Sequence, residues 1–129
     1  MVTIENILAQ NPYSTLPANS DRAWFGNTVI LTTTTTQKVT GVVTGSANSS
    51  AGVVGINFSL CFRPQGATTA PLIFTTPMSA TVNSTGMTSF TAASSIVPGA
   101  GSWEVGMCGS NNTATEVTGS SIGWLMVTN

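Results

Sequence analysis

Charged side chains are scarce in this chain of 129 residues. Three residues are Lys or Arg and four are Asp or Glu, which is 5% of the chain and gives a net charge of −1. An average soluble domain is about a quarter charged. Arg22, Lys38 and Arg63 form no basic run, so we do not expect nucleic acid as a partner. Weak repulsion between copies of the chain favours self-association.

Histidine is absent. Its absence removes the usual general base and the catalytic triads built on it. A glycosidase needs two facing carboxylates, but Glu5, Asp21, Glu104 and Glu116 are scattered along the chain. Two cysteines without a histidine do not complete a tetrahedral zinc site, and so few carboxylates favour no calcium site. The sequence therefore predicts a protein without catalytic activity, metal or cofactor.

Long apolar runs are missing as well, since no segment approaches the roughly 20 residues that cross a bilayer. The first residues, MVTIENILAQNP, have no basic residue before a short apolar patch that carries Glu5, unlike a secretory signal. We expect no membrane insertion. An extracellular, cell-surface or virion location then implies a mature part of an exported protein, or a protein released by lysis.

Hydroxyl and amide side chains take the place of charge. The chain contains 37 Ser or Thr, 10 Asn and 13 Gly, and 41% of its residues are hydrophobic. That hydrophobic fraction is too high for a disordered linker. The sequence predicts one folded domain whose surface is wetted by neutral groups.

Strand-like alternation dominates from about residue 24 onward. Segments rich in β-branched and aromatic residues alternate with Gly, Asn, Ser and Pro clusters, which is typical of antiparallel sheets. About eight strands predict an all-β, antiparallel β-sandwich or jelly roll. The predicted strands are 28–35, 38–46, 53–63, 72–75, 79–82, 88–93, 102–108 and 121–128. The threonine run at 32–36 is predicted to face solvent or to lie on an edge strand.

Residues 1–23 are predicted to be an N-terminal arm and linker, and residues 24–129 the sandwich domain. Ile4, Ile7 and Leu8 fit one side of a short helix, and an extended arm fits them equally well. The stretch 10–21 has two prolines and several turn formers, which indicates a linker or a strap over the domain surface.

The two cysteines lie on the polar faces of their predicted strands. Cys61 alternates with Leu60 and Phe62, and Cys108 alternates with Met107. If the two strands are neighbours, both cysteines lie on one outer surface within reach of a disulfide, which would indicate an oxidising compartment. The alternative is a pair of half-buried thiols under a neighbouring element.

Stacking on aromatic rings, with amide and hydroxyl hydrogen bonds, is one way for proteins to recognise neutral sugars. Trp103 and Trp124 alternate with apolar residues and are predicted to lie in the core. Trp24 and Phe25 are adjacent and point to opposite sides of an extended segment, so one of them is a candidate for exposure. Trp24 and Tyr13 are the predicted aromatic ligand-binding residues.

Asn111 and Asn112 lie in the polar stretch CGSNNTATEVTGSS and are the other predicted ligand-binding residues. Sandwich domains use polar, adaptable loops of this kind for recognition. The alternative is an ordinary connecting loop.

Five blocks carry a resemblance to a known group of domains: AWFGNTVIL, KVTGVVTGSA, NFSLCFRPQG, GSWEVGMCGSNN and GWLMVTN. Over residues 24–129 they resemble the small β-sandwich modules at the tips of bacterial surface proteins and phage fibres, some of which follow collagen-like stalks. The cysteine-bearing strands and the final Gly-Trp strand are the most specific parts. The resemblance implies a non-enzymatic, often trimeric display or attachment domain, and it carries over no functional residue.

Two functional hypotheses fit this charge-poor chain. The first is a homo-oligomeric adhesion or attachment domain that binds neutral glycans. The second is a self-assembling structural subunit of a fibre, sheath or virion whose N-terminal arm contacts a neighbouring copy.

Overall fold

The computed structural model of the protein describes residues 3–7 and 14–129, and within them every regular element is a β-strand. In chain order the strands are β1 Thr3–Ile7, β2 Ser14–Leu16, β3 Ser20–Thr33, β4 Lys38–Ser49, β5 Val54–Pro64, β6 Ile73–Phe74, β7 Met78–Val82, β8 Thr88–Ile96, β9 Gly101–Asn111 and β10 Val117–Thr128. The described residues include no helix that is long and apolar enough to span a membrane.

Two antiparallel sheets of five strands each form the fold. Sheet A has the order β1-β10-β4-β8, and β2 joins the same edge of β10 as β1. Sheet B has the order β3-β9-β5-β6, and β7 also pairs with β5. The longest ladder joins β10 to β4 over twelve residue pairs. This architecture confirms the predicted all-β antiparallel sandwich.

Apolar side chains from both sheets meet in one core. The ring of Phe90 lies 4.6 Å from that of Phe58 and 6.3 Å from that of Phe25, measured between centroids. Trp103 packs against the same cluster, and its Nε1 donates a hydrogen bond to Thr33 Oγ1 at 3.1 Å. The predicted core position of Trp103 is therefore confirmed, and of the adjacent Trp24 and Phe25 it is Phe25 that faces the core.

The N-terminal segment forms strands of sheet A where it is described. β1 pairs with β10, so the helical alternative for the first residues is wrong. A strand is favoured there because the edge of β10 offers backbone groups that only an extended partner satisfies. β2 pairs with β10 further along, and Leu16 is buried in the main core. The predicted domain boundary at residue 24 falls inside β3.

The eight predicted strands are all present, and several are longer than predicted. β3 begins at Ser20 and β10 at Val117, both earlier in the chain than predicted. The turn-forming residues at the start of each strand pair with a neighbouring strand and do not form a loop. The threonine run at 32–36 is divided between a strand and a loop. Thr32 and Thr33 end the edge strand β3, and residues 34–36 form the exposed connection to β4.

Small residues at inward positions let β10 approach both β4 and β3 closely. A Cβ atom on Gly119 would overlap the carbonyl oxygen of Ser46, and one on Gly123 would overlap that of Val42. Between these glycines, the Ser121 hydroxyl donates a hydrogen bond to the carbonyl oxygen of Phe25 in β3 at 2.5 Å. This bond joins sheet A to sheet B.

We expect Gly119→Ala to lower the free energy of unfolding by about 1–3 kcal/mol, because the added methyl group pushes β10 away from the β4 backbone. Gly55 in β5 is the matched control, since a Cβ there would meet nothing within 4 Å. Gly55→Ala should change the free energy of unfolding by no more than about 0.5 kcal/mol. Urea unfolding followed by tryptophan fluorescence measures both variants, and equal effects would contradict the close approach.

Candidate functional site

β10 carries apolar residues on both of its faces, and here the structure overturns a predicted core position. Leu125 and Val127 face the core, whereas Trp124 is 41% exposed and Ile122 is 50% exposed on the opposite face. The prediction that Trp124 lies in the core is wrong. Trp124 faces outward because the inward positions of this part of β10 are crowded. At Gly119, Ser121 and Gly123 the neighbouring strands leave no room for a large side chain.

The outward residues of β10, β4 and β8 form rows that run across sheet A. The strands pair without a register shift, so Trp124 lies beside Val42 and Val42 beside Ala93. The flanking rows are Met126, Thr40 and Ser95 on one side, and Ile122, Thr44 and Thr91 on the other, followed by Ser120, Ser46 and Ser89. We call these twelve residues the Trp124 face. None of them is ionisable.

Hydroxyl pairs flank the apolar row that begins at Trp124. Thr40 Oγ1 lies 2.5 Å from Ser95 Oγ, and Thr44 Oγ1 lies 3.1 Å from Thr91 Oγ1. Within each pair one hydroxyl donates to the other, so one O–H hydrogen and several lone pairs remain for a ligand. Rows two residues apart on a strand are separated by about 7 Å. The Trp124 face therefore offers an apolar track between two lines of neutral donors and acceptors.

The outer face of sheet B is built differently, around the disulfide. Cys61 and Cys108 are bonded, with their Cα atoms 5.7 Å apart, and both are fully buried. Their strands β5 and β9 are neighbours, as the disulfide interpretation required, so the predicted bond is confirmed and the free-thiol alternative is wrong. Leu72 and Phe74, from the segment after β5, cover the disulfide on the outside.

Trp24 belongs to this disulfide cluster and is half-buried in it. The guanidinium of Arg63 lies 5.7 Å from the centre of its ring. Arg22 stacks over Phe74 at 4.5 Å and donates a hydrogen bond to the Leu72 carbonyl at 2.9 Å. Since Arg63 occupies a face of the Trp24 ring, Trp24 offers a ligand much less aromatic surface than a free ring would.

Glu104 is held by its neighbours on this face. One carboxylate oxygen accepts a hydrogen bond from Arg63 Nε at 2.9 Å, and the other accepts one from Thr28 Oγ1 at 3.0 Å. Both side chains of the ion pair are largely shielded from solvent. The arrangement braces β3, β9 and β5 across their outer surface.

The predicted recognition loop is shorter than expected and is tied to itself. β9 continues to Asn111, whose buried side chain donates to the Thr115 carbonyl at 2.7 Å and accepts from the Thr113 hydroxyl at 2.7 Å. Asn111 thus closes the β9–β10 connection. Asn112 is exposed, so of the two asparagines only Asn112 is open to a ligand. Tyr13 lies outside the described residues.

The structure therefore separates the predicted binding residues and adds one that sequence reasoning missed. Trp24 lies on sheet B and Asn112 in the β9–β10 connection, whereas Trp124 is on the outer face of sheet A. The signal for Trp124 was present in the stretch GSSIGW, where every second residue from Gly119 is small. Such spacing indicates an inward face in close contact with a neighbouring strand.

Comparison with protein-family models, with curated proteins and with solved structures finds no match. The function is accordingly inferred from the chain's own residues.

We expect the disulfide to contribute about 4 kcal/mol to stability, the loop-entropy value for a closed loop of 47 residues. Replacing both cysteines, as Cys61→Ala with Cys108→Ala, should lower the free energy of unfolding by about that amount. Urea unfolding of the double variant against the oxidised protein measures the difference. A loss below about 1 kcal/mol would contradict this role for the disulfide.

Proposed function

We propose that this chain is a non-enzymatic attachment domain that binds neutral glycans through the Trp124 face, acts outside the cell or on a particle surface, and works as a homo-oligomer. The observation that carries the proposal is the exposed indole of Trp124 in register with uncharged hydroxyl rows.

A pyranose ring has an apolar face of C–H groups and a rim of hydroxyl groups. The apolar face of such a ring fits the row of Trp124, Val42 and Ala93, because aromatic and aliphatic carbon offers contact without demanding hydrogen bonds. The rim then meets the hydroxyl pairs on either side, which both donate and accept. The absence of charge on the Trp124 face favours a neutral sugar over a sulfated or uronic one.

The disulfide supports a location in an oxidising compartment, where such bonds form and persist, and it is compatible with an extracellular protein. The non-enzymatic part of the proposal draws on the acids. Histidine is absent from the sequence, and Glu104 has both carboxylate oxygens engaged by Arg63 and Thr28 within the chain.

The alternative of a fibre, sheath or virion subunit joined through its arm is less well supported. β1 pairs with β10 of its own chain, and β2 does the same. The side of β10 that an arm could join is thus filled by the chain's own N-terminal strands and is not open to the arm of a neighbour. We therefore favour the attachment domain.

We expect Trp124→Ala to weaken binding to neutral glycans at least tenfold, because burying a ring face contributes on the order of 1.5–3 kcal/mol. Trp124→Phe should retain part of the affinity, since it keeps a smaller ring. Ser50→Ala, at an exposed position just beyond the end of β4 and outside the Trp124 face, is the control and should bind as the wild type does. A neutral-glycan array followed by calorimetry on the best ligand measures all three. A blank array for the wild type would overturn the proposal.

We also expect the glycan affinity to be insensitive to salt. Between about 0.05 and about 0.5 M sodium chloride the Kd should change less than about twofold, because screening acts on charges, the twelve residues of the Trp124 face have none, and Lys38, in the next row beyond Thr40, attracts no neutral sugar. The same titration with an acidic polysaccharide provides the comparison. Stronger binding of the acidic polysaccharide, lost at high salt, would contradict a neutral ligand.

A further inference from the structure

Each sheet of the sandwich has two edges, and three of these four edges are protected. Beyond β10 the edge of sheet A is formed by β1 and β2, which are only five and three residues long. β3, at one edge of sheet B, has two register shifts along its pairing with β9 and carries Asp21 and Arg22. The opposite edge of sheet B consists of β6 and β7, which are two and five residues long. Bulges, charges and short strands are the usual ways in which proteins prevent edge pairing.

β8 has none of these protections. It is nine residues long, pairs with β4 without a register shift, and contains no charged residue and no proline. Among the described residues, β4 is the only strand paired with β8. Thr76 bonds the side chain of Ser94 at 3.1 Å, but this contact uses no backbone group of β8. About half of the backbone N–H and C=O groups of β8 therefore point away from the sheet without a strand to receive them.

We propose that β8 is a self-association edge, at which β8 of a second copy of this chain pairs antiparallel to form one continuous sheet. This inference rests on the homo-oligomeric part of the proposed function and is independent of glycan binding. The lack of charge on β8 favours a second copy of the chain as its partner. A strand without charge, on a chain with a net charge of −1, attracts no oppositely charged peptide and barely repels its own copy.

A two-fold axis through Ala92 brings the two strands into register over all nine residues. Ser89 then lies opposite Ser95 of the second copy, and Thr91 opposite Ala93. These outward side chains are small and exposed, so they pair across the new ladder without obstruction. Such a symmetric, antiparallel arrangement uses the same surface on both copies, as closed dimers do.

This geometry keeps both Trp124 faces on the same side of the joined sheet. Five strand spacings of about 4.8 Å separate the two β10 strands, which places the two indoles roughly 24 Å apart. The nine-residue edge is about 30 Å long, and because the new ladder joins only sheet A of each copy, the buried area is modest. A standard stable interface buries about 800 Å² per partner. We therefore expect a dimer with a Kd in the micromolar range.

The test compares two lysine substitutions at hydrogen-bonded partners. Thr44 and Thr91 bond each other through their hydroxyls at 3.1 Å, so Thr44→Lys and Thr91→Lys break the same contact and add the same charge to the same face. Only Thr91 lies on the edge strand. In the symmetric dimer the two Thr91 positions are diagonal neighbours, about 7–8 Å apart, so lysines there repel each other.

Sedimentation velocity of the full chain over a range of micromolar concentrations gives the result. We expect wild type and Thr44→Lys to dimerise with the same Kd, and Thr91→Lys to dimerise at least tenfold more weakly. An equimolar mixture of Thr91→Lys and Thr91→Glu should regain the dimer, because opposite charges then meet across the axis. Circular dichroism confirms that each variant is folded.

Three outcomes overturn the proposal: a wild type that stays monomeric, equal weakening by Thr44→Lys and Thr91→Lys, or an oligomer that neither substitution changes. In the last case the chain is homo-oligomeric through another surface, so the proposed function stands while the β8 edge does not. The glycan array is read separately on the wild-type chain, at a concentration below that at which it dimerises, so failure of the sugar site is distinguishable from failure of the edge.

Discussion

The close approach of β10 to its neighbours is the constraint on which the other features depend. Ser121 donates to the Phe25 carbonyl across the two sheets, and Gly119 and Gly123 lie against the β4 backbone. Large side chains are excluded from these inward positions. Since neighbouring residues of a strand point to opposite faces, the same constraint sends Trp124 outward. A packing requirement inside the sandwich thus determines which aromatic side chain reaches solvent.

The sandwich and the disulfide could be predicted because both follow from local alternation. Cys61 and Cys108 each occupy the polar side of a strand, and neighbouring strands bring such side chains together. The face of β10 could not be predicted in the same way, since Ile122 and Trp124 alternate with Leu125 and Val127, and both sets are apolar. Only the contacts of β10 with β3 and β4 decide which set is buried, and those contacts join residues far apart in the chain.

The binding candidates named from sequence depended on exposure, which local pattern does not determine. Trp24 alternates with the buried Phe25, yet the segment after β5 folds over the disulfide and covers part of its ring together with Arg63. Asn111 lies in a polar stretch, but its amide satisfies carbonyl and hydroxyl groups of the hairpin that it closes. In both cases a residue suited to recognition is used to hold a surface segment in place.

The two outer faces of the sandwich divide the chemistry of the chain between them. Sheet B carries Arg22, Arg63 and Glu104, and their contacts pair them with each other or with aromatic rings and carbonyl groups. The Trp124 face of sheet A has hydroxyl and apolar groups alone, and Lys38 lies on the same side of the sheet in the next row beyond Thr40. A ligand on such a face gains no long-range attraction, so its affinity must come from contact area and short hydrogen bonds. Individual sites of that kind bind weakly. Pairing of two copies through β8 would place two such sites on one rigid sheet, and binding at the first site would then raise the effective concentration of the glycan at the second.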